Sequence, residues 1–160
     1  MLHAAATPAF IQRTTLGEIS GRRTTRVVRL ADLLRQAGFP TTLSARMGTW
    51  QLTHLALVVA LADAVYAADG VDHRQIAADT VAVTRAMDDL TSYVARLRDK
   101  GLRPTSLRLA LIARLPRAIL VRAAAACFRS DPAETYICRH ARGAKMEMDL
   151  LKDALLARLA

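Results

Sequence analysis

The chain is poor in aromatic side chains. Tryptophan, tyrosine and phenylalanine make up 4% of its 160 residues, and Trp50 is its one tryptophan. That scarcity argues against a fold built mainly from aromatic and β-branched strands. Alanine and leucine supply the apolar mass, and both favour helix. Lysine is nearly missing as well, present at Lys100, Lys145 and Lys152, so arginine carries the formal net charge of +9. The arginines are spread along every segment, with no block of like charge and no aromatics between them for base stacking. This disfavours a nucleic-acid partner. The seven glycines are scattered and form no GxGxxG or Walker loop, so no nucleotide site of those types is encoded. Cys127 and Cys138 lack metal-ligand spacing, and the four histidines are dispersed. No metal and no cofactor are therefore expected. HExxH, CxxC and GxSxG are all missing. The start, MLHAAATPAFIQRTT, lacks the basic-then-apolar order of a secretory leader. These features predict a soluble cytoplasmic protein with free thiols and no membrane partner.

What is present reads as helix. The length fits one domain able to bury a core. Residues 1–22 stand apart, because Pro8, Thr14, Thr15 and Gly17 break helical periodicity. RTTLGEI reads as one extended strand, which must join a sheet, pair with its own copy or stay loose. Residues 23–160 form the expected helical domain. Thr24 or Thr25 caps a helix to Ala37, Gly38 takes the left-handed position after it, and Pro40 blocks continuation. A short extended link covers 39–44. Met47 to Gly70 is apolar on nearly every face, which predicts a helix through the middle of the domain. With His54 and Asp63 inside it, this run is short for a bilayer span. One helix is expected over 73–99, capped by Asp72, with a narrow seam at Val83, Met87, Leu90, Val94 and Leu97. A helical pair over 107–127 is hinged near Pro116. The last helix opens with Asp131 as cap, Pro132 at the first helical position and Glu134 as the capping-box acid. Its stripe is Ile137, Ala141, Ala144, Met148, Leu151 and Leu155. The predicted fold class is all-α, a helical bundle around a central apolar helix. The 83–97 and 137–155 stripes suit either the chain's own core or a homodimer.

Few polar groups are available for chemistry. His54 reads as a general base or carboxylate-binding donor in an apolar pocket, or as a satisfied core histidine. Asp63, with Tyr66 one turn later, would be a raised-pKa acid if buried; otherwise it lies on an exposed edge or bonds a neighbouring helix. Glu134 is a cap or a catalytic partner. Arg139, His140 and Arg142 crowd the early turns of the last helix, facing either an anionic ligand or solvent. Trp50 and Met47 read as core.

Three stretches, RTTLGEISGRRTTRVVRLADLLRQAGF, TTLSARM and TWQLTHLALVVALADAVYA, resemble the C-terminal half of ketopantoate reductases (2-dehydropantoate 2-reductases). Those enzymes join an NADPH-binding Rossmann domain to a helical substrate domain related to the 6-phosphogluconate dehydrogenase C-terminal fold. TLGE followed by GR resembles the last Rossmann strand leading into that domain. SDPAETYICRHARGAKMEM resembles the segment around a substrate-binding glutamate, which falls on Glu134. The likeness covers residues 13–150.

The resemblance implies two departures. The NADPH domain is missing, and the catalytic lysine expected two residues after the tryptophan is Leu52. Asparagines expected one and two turns later correspond to Ala56 and Ala60. A hydrocarbon cannot polarise a keto oxygen as an ammonium does. The expected function is therefore a cofactor-independent small-molecule catalyst of cyclase, isomerase or lyase type, in a setting such as natural-product tailoring. Its substrate would be hydrophobic or anionic. His54, Glu134 and Tyr66 would be catalytic, and Trp50, Leu52, Thr53, Asp63, Arg139 and His140 would contact the substrate. Two alternatives stand beside it: the substrate-binding half of a split or truncated NADPH-dependent reductase, and a non-catalytic dimerisation or binding module.

Overall fold

A computed structural model describes residues 13–68, 72–112 and 114–160. The expected helix end at Gly70 and the residues before Arg13 lie outside that range. Helix takes up 73% of the structure and strand 4%, so the chain is all-α in class. Two compact units divide it, Met1–Gln51 and Leu52–Ala160. Residues 23–44 therefore group with the preceding strand rather than with the helices that follow.

The first unit is a strand–helix–strand turn. β1 (Thr14–Leu16), α1 (Thr25–Gln36) and β2 (Thr41–Leu43) follow in order. β1 and β2 pair in parallel, with Thr14 opposite Thr41 and Leu16 opposite Leu43. The RTTLGEI segment thus finds its partner inside the chain, and the link at 39–44 is that partner. Parallel pairing needs a crossover, which α1 supplies. Thr24 is extended and its hydroxyl accepts from the Val27 N–H, capping α1. Glu18 takes the Thr24 hydroxyl proton at 2.5 Å and two Arg26 guanidinium bonds, the shorter at 2.6 Å. Those hydrogen bonds, with the Arg26 charge, hold the Glu18 carboxyl below its usual range. Gly38 sits at φ +85°, the left-handed geometry expected of it. At Gly17 the approach is close: a Cβ there would lie 2.3 Å from the Ser44 carbonyl oxygen.

The second unit is helical. α2 (Met47–Ala67) begins before the unit boundary and runs into it. α3 (His73–Ala78), α4 (Thr80–Asp99), α5 (Leu107–Ile112) and α6 (Arg117–Phe128) follow. The single helix expected over 73–99 is two, because Asp79 leaves helical geometry at ψ 86° and caps α4 through its carboxylate and the Ala82 N–H. Asp72 caps α3 as expected, accepting from the Arg74 N–H. The α4 seam is buried throughout: Val83, Met87, Leu90, Val94 and Leu97 are 3% exposed or less. It faces the chain's own core and is not available to a second copy. The hinge between α5 and α6 lies at Pro116, which occupies the N-cap of α6.

The last expected helix is broken into pieces. α7 (Asp131–Ala133) leads into a π-helical turn (Glu134–Cys138), then α8 (Arg139–Gly143) and α9 (Lys145–Leu159). Ala144, at φ −127° and ψ 32°, interrupts the ladder before α9. Ser130, not Asp131, holds the cap position, and it makes no side-chain capping bond. Glu134 therefore closes no capping box.

α2 is buried on its small residues, among them Ala56, Val59, Ala60, Ala64 and Val65. Leu52, Leu55, Leu57 and Leu61 are only partly covered, so the helix is not enclosed on all faces. Its 21 residues are long and apolar enough to cross a membrane by length and composition, contrary to the expectation that the run is too short. Replacing Leu90 by Ala would empty a fully buried site against α6. It is expected to lower unfolding free energy by about 2–5 kcal/mol in urea titration.

Candidate functional site

Helical spacing separates the residues singled out along α2. His54 and Tyr66 are twelve positions apart, about 18 Å along the axis. They do not meet in one site. His54 is partly buried, and burial lowers its pKa below 6.5, which favours the neutral imidazole. Thr53 beside it is buried, at 1% exposure. Leu52 packs against the core. Trp50 lies in the first unit, partly buried.

Farther along, α2 meets the end of the chain. The Tyr66 hydroxyl donates to the Ala141 carbonyl at 2.8 Å. The Lys145 ammonium stands 4.9 Å from the Tyr66 ring centroid. Burial, then the charges of Asp149 and Asp63, push the phenol above its usual range. Tyr66 is thus occupied as a donor to backbone. Asp63 is paired with Lys152 of α9 at 2.7 Å. A lysine does reach α2, then, but eleven residues beyond Leu52, about 16 Å along the helix. Burial works against the Lys152 charge; its bond to Asp63 and the fields of Asp63, Tyr93 and Asp89 outweigh it and raise its pKa.

The densest cluster of titratable groups lies between the start of α3 and the π turn. His73 is 11% exposed. Its Nδ1 stands 2.7 Å from Asp72 Oδ1 and 3.6 Å from Glu134 Oε2. Nε2 is 3.9 Å from Asp131 Oδ1. The other oxygen of Glu134 accepts from the Arg142 guanidinium. His73 Nε2 and Glu134 Oε2 are both buried without a hydrogen-bond partner, and buried groups of that kind call for a functional or strain-based reason. Glu134 opens the π turn, a geometry that recurs at functional sites. Cys138 closes the same turn; burial, with help from Glu134, pushes its thiol up to about 11, so it is no thiolate nucleophile. Arg139 and His140 are exposed. Of the residues that sequence singled out, the structure joins only Glu134 to other polar groups of this cluster. His73 and Asp72 were not legible as site residues, since Asp-His at a helix start reads as an ordinary cap and first turn. Among the described residues, no group of three His, Cys, Asp or Glu side chains is placed to hold a metal ion.

His54 supplies a pH-dependent stability test. A histidine whose folded pKa is depressed binds fewer protons than the unfolded chain near its ordinary pKa. Its contribution is therefore present above about pH 6.5 and lost as pH falls toward the folded value. The urea midpoint should drop between pH 7.5 and 5.5, and His54→Gln should flatten part of that drop. An identical slope in the variant would show that His54 does not drive it.

No family model, no curated protein and no solved structure matches the chain.

Proposed function

We propose that this chain is a cofactor-independent acid–base catalyst of a small molecule, working through Glu134. The carrying observation is the pairing of Glu134 Oε2 with His73 Nδ1 at 3.6 Å, both within a cluster that also holds Asp72 and Arg142. Glu134, at 26% side-chain exposure, is the member that would meet substrate, and His73 lies behind it. Proton transfer of this kind serves isomerisation, cyclisation or elimination. Glu134 takes a proton from a carbon beside an electron-withdrawing group. The electron pair then forms a double bond, or returns to carbon with the proton at a new position. His73, held by Asp72, is the neighbouring proton carrier, and the Arg142 charge steadies the carboxylate. The resemblance to ketopantoate reductases supports a substrate contact at Glu134. Leu52 supports chemistry other than hydride transfer. A cytoplasmic setting goes with this reading.

A generic probe tests it before any natural substrate is known. The base-driven ring opening of 5-nitrobenzisoxazole requires only proton removal from carbon, with cleavage of the N–O bond. The purified chain without nicotinamide should accelerate it over acetate and imidazole at matched concentration. Glu134→Gln should lower the rate about 100-fold, with its urea midpoint reported alongside. His73→Gln should move the pH–rate midpoint. A rate equal to that of the Glu134→Gln variant would refute the role of Glu134.

β1 and β2 favour a second reading. Parallel strands occur almost only in sheets covered on both faces, and a pair of three-residue strands is small for an independent sheet. The first unit is thus suited to extend a partner's sheet, as in the substrate-binding half of a split NADPH-dependent reductase. Reduction of 2-dehydropantoate that appears only on adding a separate NADPH-binding subunit would select this reading. The chain alone with NADPH should give no turnover.

A further inference from the structure

The first unit concentrates positive charge. Between Arg13 and Gln51 there are seven arginines and no lysine, against Glu18 and Asp32 as the only carboxylates. Two of these arginines, Arg23 and Arg35, line an open cleft along β2 with Thr41, Thr42, Leu43, Ser44 and Ala45. No carboxylate lines it. Glu18 is committed to Thr24 and Arg26, and Asp32 bonds Arg35 at 2.8 Å. Among the described residues Arg23 has no counter-ion. Arg35 is held toward the cleft by a second bond, from its other terminal nitrogen to the Thr41 carbonyl at 3.3 Å.

The strand adds a donor of its own. Ser44 N–H donates to the Leu16 carbonyl, and Pro40 accepts from the Thr14 N–H. Pro40 and Ser44 therefore turn their peptide groups toward β1. By the alternation of a parallel ladder, Thr41 and Leu43 turn theirs to the opposite edge. The Arg35 bond to the Thr41 carbonyl lies on that edge. The cleft thus gathers two guanidinium groups, a backbone N–H at Leu43 and the hydroxyl-bearing residues Thr42 and Ser44.

We infer that this cleft binds a phosphoryl oxyanion, presented by a small metabolite or by a lipid headgroup. Planar guanidinium groups match the oxygens of a phosphate in pairs, and backbone N–H groups complete such cradles. The inference does not rest on the acid–base reading of Glu134, whose residues are separate from these.

The test uses the full chain, isotope-labelled, titrated with inorganic phosphate at low and physiological salt while amide shifts are followed. Saturable shifts at Arg23, Leu43 and Ser44 are expected. Arg23→Gln should weaken binding about tenfold, the equivalent of one charge-assisted contact, while Arg23→Lys keeps part of it. Vesicles containing phosphatidic acid form a second arm: competition with phosphate points to a lipid headgroup, its absence to a free metabolite, and either result supports the cleft. Shifts that are linear, spread over all arginines, or undiminished in Arg23→Gln would overturn the inference, because they describe general attraction of an anion to a basic protein. Because Arg23 is exposed, its replacement should leave the urea midpoint unchanged, and a loss of folding in Arg23→Gln would itself overturn the assignment.

Discussion

The bond between Lys152 and Asp63 fixes where the end of the chain lies. Asp63 sits among alanines and leucines on an apolar helix, where an unpaired carboxylate is costly. Lys152 supplies the countercharge from α9, and Tyr66, one turn on, anchors α8 through the Ala141 carbonyl. With α8 and α9 held at these two points, the π turn before them is brought beside α3. That is how Glu134 comes to lie against His73, although sixty-one positions separate them in the chain. The candidate site depends on a contact that takes no part in its proposed chemistry.

Much of the fold was readable from local chemistry. Gly38, Asp72 and Pro116 punctuate helices where their backbone preferences say they should. The seam from Val83 to Leu97 is buried because its spacing follows one face of a helix. The misreadings share a cause. Asp79, Ala144 and the π turn interrupt apolar patterns that continue through them, so periodicity alone predicts longer helices than exist. The pairing of β1 with β2 was missed because each strand is only three residues long. Their register is a matter of chain return, which local propensity does not carry.

The site was less legible than the fold. Glu134 was singled out through a resemblance, and it does lie in a polar cluster. His54 and Tyr66 drew notice as polar residues in an oily helix, yet simple helical rise sets them on different turns. Asp63 and Lys152 form a pair that no spacing rule links, because they belong to different helices. His73 was passed over since its neighbours in sequence, Asp72 and Arg74, already explain it as part of a helix start. Its importance comes from Glu134, which only the tertiary fold brings near.

The π turn from Glu134 to Cys138 has a consequence for how this segment tolerates change. A wider turn accommodates an additional residue relative to an α-helical path. Removing one residue there would let the turn tighten, and everything after it would rotate by about 100° around the axis. Ala141, Met148 and Leu155 would swing out of the core while Met146 and Leu150, now facing water, swung toward it. The bulge works as a phase setting for the whole final third of the helical unit. Length changes at this point are felt far more strongly than ordinary side-chain substitutions on its outer surface.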